Sequence, residues 1–148
     1  MKTYTQIIYH IVFSTKGRAR CLLMPQRESL YRYIWGVLKN KDCHLYRIGG
    51  VEDHIHILTS IHSSLAVSNL VKDLKLGCTD YIKRERLFPN FVGWQDGYGA
   101  FTLAFSDKDR VVEYVKGQEE HHQKVSSRDE FLSMLRDYGV SFEDAHID

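Results

Sequence analysis

Long hydrophobic runs are missing from this 148-residue chain, and nothing in it approaches the roughly 20 apolar residues of a membrane-spanning helix. The opening Met1-Lys2-Thr3-Tyr4 does not read as a secretion signal. Cysteine is scarce: Cys21, Cys43 and Cys78 are odd in number, far apart and form no CxxC pair. That excludes a disulfide framework and a thiolate zinc cage, and fits reduced thiols in a cytoplasmic protein. Proline occurs only twice, and repeats and low-complexity tracts are absent, so no internal linker is expected. There is no GxxxxGK[ST] loop, so we expect no nucleotide cofactor.

Net charge is also nearly absent, at +1, but the average hides an asymmetry. Residues 1–124 hold 18 Lys/Arg against 13 Asp/Glu, a balance of +5, whereas residues 125–148 hold 2 against 6, a balance of −4. We therefore divide the chain into one domain, residues 1–124, and an acidic tail, residues 125–148, which matches no motif. A moderately basic body is compatible with a polyanionic ligand.

What is present is a pattern of alternating strands and helices. Tyr4–Ser14 is β-branched and aromatic and reads as a buried strand. Leu30, Ile34, Val37 and Leu38 fall at helical spacing within a first helix, Gln26–Asn40. Cys43–Ile48 reads as a second strand, Gly49-Gly50 as a hairpin turn, and Glu52–Ile61 as a third strand. Ser63 or Ser64 would cap a long helix with a core stripe of Val67, Leu70, Val71, Leu74, Cys78, Tyr81 and Ile82. After the irregular loop 87–99, Ala100–Phe105 reads as a fourth strand. A third helix would run from Asp107 to about Lys124, and Phe131, Leu132 and Leu135 mark a short helical pattern in the tail. The order βαββαβ plus a helix implies an α+β, ferredoxin-like split-βαβ sandwich. Its four-stranded antiparallel sheet would carry helices on one face, plus a C-terminal helix bearing Tyr114. Such a fold hosts many functions, so function must be argued from a site.

His54 and His56 offer one. Side chains at i and i+2 leave a strand on the same face, so both imidazoles converge, while Ile55 and Ile57 point into the core. Imidazole is a common ligand of transition metals, although an isolated HxH is as often two hydrogen-bonded surface histidines. In the third helix Tyr114 and Gln118 are four apart and share a face. The Gln118 amide oxygen could then complete a metal site one turn from the Tyr114 phenol; the plainer reading of Tyr114 is an amphipathic surface tyrosine. Two histidines and a glutamine form a weak, neutral set that leaves positions for phosphate oxygens. That arrangement suits Mg²⁺ or Mn²⁺. Such an ion polarises a phosphate while a tyrosine oxygen attacks in line.

His54-Ile55-His56 resembles the HUH motif, and Tyr114 with Gln118 resembles the YxxxQ helix, of single-tyrosine HUH transposases. Val51–Leu58, the segment Trp94-Gln95-Asp96-Gly97-Tyr98-Gly99-Ala100-Phe101 and Gln118–His122 resemble further family segments, in the family's order, from about Tyr4 to Lys124. The resemblance implies a transposase of small bacterial insertion sequences, or of the related proteins associated with repetitive extragenic palindromes. Its implied activity is metal-dependent cleavage and rejoining of single-stranded DNA through a covalent 5′-phosphotyrosine on Tyr114. His54, His56 and Gln118 would hold the metal. The implied partners are DNA hairpins near element ends and a second copy of the chain, whose tyrosine helix can complete the site in trans. Free sheet edges in so small a domain also invite pairing.

Lys16, Arg18, Arg20, Lys72, Lys75, Lys83, Arg84 and Arg86 are candidate phosphate contacts, and Trp94 and Tyr98 candidate stacking platforms for bases. Phe101 is divided between stacking and core. Glu52 and Asp53 precede the histidines and could orient them from behind, or simply be acids at a strand entry. His121 and His122 read as solvated histidines that favour the helix dipole. Gly117 would loosen the tyrosine helix. Three rivals stand beside the nuclease: a hairpin-binding module without cleavage, a hydrolase of small phosphoesters, and an RNA-binding sheet. The last lacks its usual aromatic segment.

Overall fold

The structure, a computed structural model, describes residues 1–143 and 146–147. Strand β1 (Ile8–Ser14) is rich in branched apolar residues and is covered on both faces. It pairs antiparallel with β3 (His54–Ser60) on one side and β4 (Gly99–Leu103) on the other, and β3 pairs antiparallel with β2 (Leu45–Val51). The sheet order is β2-β3-β1-β4. Helix α1 (Gln26–Asn40) connects β1 to β2, and α2 (Val67–Glu85) connects β3 to β4. These interleaved crossovers make the expected split-βαβ, ferredoxin-like sandwich.

Alternation along the strands sorts the side chains. Ile11, Phe13, Ile55 and Ile57 join Leu30, Ile34 and Leu38 of α1 and Leu70, Leu74 and Cys78 of α2 in the main core. Ile8, His10, Val12, His54, His56 and Leu58 share the other face by the same alternation. That face is not open. Val111 and Val115 of α3 (Lys108–Lys116) pack on Ile8 and Leu58. Met134 and Leu135 of α5 (Ser127–Asp137) pack on Val12 and Phe101. Helices expected on one face only would leave the histidines on an open one; instead His54 and His56 are 1% and 0% exposed. They lie in a polar pocket beneath α3–α5, not in the apolar core.

Other boundaries shift for local reasons. Gly49 and Gly50 lie inside β2, and the hairpin turns at Glu52-Asp53. A Cβ on Gly49 would fall 2.2 Å from the Val115 carbonyl oxygen, so the glycine lets α3 dock against the sheet. Neither Ser63 nor Ser64 caps α2; Ala66 stands there, and Ser64 bonds to the His62 ring instead. The third helix breaks at Gly117 (ψ 15°), giving α3 and a single turn, α4 (Gln118–His121). The tail pattern becomes α5, whose N-cap Ser126 accepts a hydrogen bond from the Asp129 amide.

Candidate active site

Strand β3 delivers His54 and His56 side by side, with ring centroids 5.0 Å apart. Each Nδ1 is occupied from behind. Asp53 Oδ1 lies 2.7 Å from His54 Nδ1, and Ser127 of α5 donates to the same carboxylate oxygen at 2.6 Å. His10 Nε2 lies 2.7 Å from His56 Nδ1. Both Nε2 atoms therefore point into the pocket, the orientation that a metal-binding imidazole needs.

The break at Gly117 turns Gln118 inward until it is 1% exposed. Its Oε1 lies 3.1 Å from His54 Nε2, and its amide nitrogen donates to Glu130 Oε2 at 3.1 Å. Tyr114 reaches the same place: its hydroxyl donates to Glu130 Oε2. The structure thus brings together His54, His56, Tyr114 and Gln118, the four residues singled out from the sequence.

It also adds residues that sequence reasoning passed over. Glu130 is central, although it comes from the acidic tail. Its Oε1 lies 3.3 Å from His54 Nε2, 3.0 Å from His56 Nε2 and 3.1 Å from His122 Nε2. His121 Nε2 is 3.2 Å from Oε2. The reading of His121 and His122 as solvated is corrected for His122, whose side chain is 8% exposed and turned inward; His121 is half-buried beside Tyr114. One signal was available for Glu130. Ser127, Glu130 and Met134 recur at i, i+3 and i+7, placing an acid on the buried face of an amphipathic helix.

Burial and charge divide the histidines. Burial alone would lower the pKa of His54, but the hydrogen bonds that its ring donates to Asp53 and Glu130 outweigh it and push it up to about 9. For His56 burial dominates, and the neighbouring His54 charge adds to it, so its pKa falls to about 4. His10 falls to about 3, through burial and then His56. Glu130 is buried too, yet the imidazoles of His122, His54 and His56 gathered around it hold its carboxyl far below the usual range. Burial, then the Glu130 charge, raises the Tyr114 phenol well above its ordinary value. The pocket is a carboxylate wrapped in imidazoles, with a neutral phenol at its edge.

That edge opens into a cavity of about 470 Å³ lined by His10, Arg110, Tyr114, His121, Glu130 and Tyr138. On the other flank Arg18 and Arg20 border a cleft with Asp53, His122 and Ser127. Arg18 also borders a smaller cleft beside Tyr98, which is exposed. The remaining candidate contacts lie elsewhere. Lys72, Lys75, Lys83, Arg84 and Arg86 follow α2, on the face of the sheet opposite the histidines. Lys75 donates to the Gln95 and Gly97 carbonyls, and Arg84 pairs with Asp80. Trp94 packs edge-on against Phe13 and donates to the Lys75 carbonyl, while Lys16 is exposed. Phe101 is core, stacked on Tyr138.

A family model described as "Transposase IS200 like" matches residues 3–118, most of the chain. The chain belongs to the IS200-like transposase family. Two solved structures share its fold. A candidate transposase from Deinococcus radiodurans R1 is 20% identical with a TM-score of 0.61, over 80% of this chain and 98% of its own. A REP-associated tyrosine transposase, solved bound to a REP hairpin, is 16% identical with a TM-score of 0.61, over 84% of this chain and 76% of its own. No curated protein matches significantly. The family match includes His54, His56, Tyr114 and Gln118 and stops short of His122 and Glu130.

Could the site of this IS200-like transposase hold a metal? His54, His56, His122 and Glu130 each offer one ligand atom, and all four atoms lie within 4.8 Å of one another. Imidazole and carboxylate are suitable donors for a divalent cation, so the residues fit.

Proposed function

We propose that this protein is a nuclease and strand transferase that cuts and rejoins single-stranded DNA through a 5′-phosphotyrosine on Tyr114. The observation that carries the reading is the Tyr114 hydroxyl, hydrogen-bonded to a carboxylate whose other oxygen faces three imidazoles. His54, His56 and Gln118 would hold Mg²⁺ or Mn²⁺, and the bound ion would polarise the scissile phosphate and offset charge developing on it. Tyr114 supplies the nucleophile: its oxygen bonds to phosphorus as the bond to the 3′ oxygen breaks, and that oxygen leaves with a proton as a 3′-hydroxyl. Glu130 Oε2 already accepts the phenol hydrogen bond and stands where the phenolic proton must go. The ester conserves bond energy, so a 3′-hydroxyl can reverse the step without ATP.

Asp53 and His10 support the chemistry from behind by fixing the two imidazoles. The substrate would be single-stranded DNA carrying a hairpin, in keeping with the REP hairpin bound by the related structure. Arg18, Arg20 and Tyr98, beside the pocket, are the best placed of the sequence candidates to meet it. We further propose that the working form is a homodimer. The test is incubation with a labelled hairpin oligonucleotide and Mg²⁺ or Mn²⁺, resolved on a denaturing gel. A protein-linked DNA band is expected, absent with EDTA and in His56→Ala. Cleavage without a linked band would instead favour a metal phosphoesterase, and binding without cleavage a hairpin-binding module.

A further inference from the structure

We propose that Glu130 and His122 are themselves metal ligands, so that the C-terminal helix closes a four-donor centre with His54 and His56. This rests on the metal-dependent reading above and extends it to two residues beyond the family match, which ends at residue 118.

Three independent features point to an ion at this place. First, the four ligand atoms lie within 4.8 Å of one another. His54 and His56 have their Nδ1 atoms engaged by Asp53 and His10, so the Nε2 atoms are the ones that converge on Glu130 Oε1. Second, His122 Nε2 is buried and has no hydrogen-bond partner of good geometry, although it lies 3.1 Å from the carboxylate oxygen. A buried imidazole nitrogen aimed at a shared point without a proper partner is what a ligand looks like before its ion is added. Third, Glu130 is 4% exposed, and its second oxygen is fixed by Tyr114 and the Gln118 amide. A carboxylate so buried requires compensating positive charge, and a dication bound by neutral imidazoles supplies it.

The consequence is a change in the character of the centre. Two histidines and a glutamine are neutral; three histidines and a glutamate carry one negative charge and hold a dication more tightly. With Gln118 as a fifth donor, an octahedral ion would keep one position for a phosphate oxygen. Glu130 would also tie the nucleophile to the ion, one oxygen facing each.

Metal binding itself is the readout. The full chain, stripped with EDTA, is titrated with Mn²⁺ by calorimetry and by loss of the free-ion electron paramagnetic resonance signal. Wild type should bind one ion per chain, and Glu130→Gln and His122→Ala should each weaken binding at least about tenfold. Ser133→Ala, exposed on the same helix, should bind as wild type does. X-ray absorption on the Mn²⁺-loaded wild type needs no variant and should show three imidazoles per ion. Wild-type affinity in either Glu130→Gln or His122→Ala overturns the proposal, as do two imidazoles in the absorption data. None of these readouts involves DNA. Normal ion binding without a protein–DNA adduct would therefore sink the nuclease reading alone.

Discussion

Tyr114→Phe separates catalysis from folding more sharply than any other change. It deletes one oxygen and leaves the ring against His10, His56 and His121, whose centroids lie 6.1, 5.8 and 5.7 Å away. The loss to the folded state is one hydrogen bond to a carboxylate, worth about 1.5–3 kcal/mol in a fully buried setting. Here the cost should fall at or below the low end, because Glu130 Oε2 keeps the Gln118 amide at 3.1 Å and His121 at 3.2 Å. About 1 kcal/mol in a chain of this size lowers Tm by about 3 °C. Metal affinity and hairpin affinity should be nearly unchanged, because no donor nitrogen or basic side chain is touched. Adduct formation should vanish completely, since phenylalanine has no atom to bond phosphorus, and raising Mn²⁺ cannot restore it. His56→Ala should also lose cleavage, but through metal affinity, so excess Mn²⁺ should recover part of it. The assay is the denaturing gel with each variant across a metal titration, paired with thermal melts. An adduct in Tyr114→Phe at the wild-type rate would show that another tyrosine attacks, and the assignment of α3 would fall.

Three further outcomes follow from the same geometry. In EDTA, stability should peak near pH 6.5. The His54 pKa is raised to about 9, so its contribution is complete below 6.5 and fades as pH rises through 9. The His56 and His10 pKa values are lowered to about 4 and 3, so the unfolded chain takes up more protons as pH falls below 6.5, and stability drops there too. Urea midpoints across pH 4–10 check this, and a monotonic rise to pH 9 would contradict it. Gly49→Ala would place a Cβ 2.2 Å from the Val115 carbonyl oxygen and should cost about 2 kcal/mol or more, whereas Gly36→Ala, with open space in α1, should stabilise by about 0.5–1 kcal/mol. Equal midpoints for the two variants would remove the docking role of Gly49. Light scattering at micromolar concentration should give twice 17.3 kDa, and a monomer alone would end the dimer proposal.

The fold was legible because its signals are local. Period-two and period-3.6 patterns read within a dozen residues, and α1 ends where the spacing of Leu30, Ile34 and Leu38 ends. The mistaken turn shows the limit. A Gly-Gly pair between strands reads as a hairpin, but Gly49 is small because Val115, more than sixty residues later, lies against it, and Gly50 because the His54 carbonyl does. A tertiary approach and a turn leave the same mark in sequence. The break after Lys116 is a smaller case: Gly117 looked like a soft spot in one helix, and the structure uses it to swing Gln118 toward His54.

The site divides along the same line. His54 with His56, and Tyr114 with Gln118, are pairs whose members lie within four residues, so strand and helix geometry alone place each pair on one face. Glu130 meets His56 across seventy-four residues, and no periodicity records that. Charge counting even concealed it. A balance of −4 over residues 125–148 made the tail look like an acidic appendage to a basic body. Yet one of those acids is the counter-charge on which the buried imidazoles converge, and Ser127, three residues earlier, holds Asp53 against His54. A surplus of one sign in a tail is thus ambiguous between solvation and compensation. What decides here is the helical register, because Ser127, Glu130 and Met134 share the buried face of α5. An acid on the apolar side of an amphipathic helix must find polar partners, and in this chain the imidazoles of His54, His56 and His122 are the ones within reach.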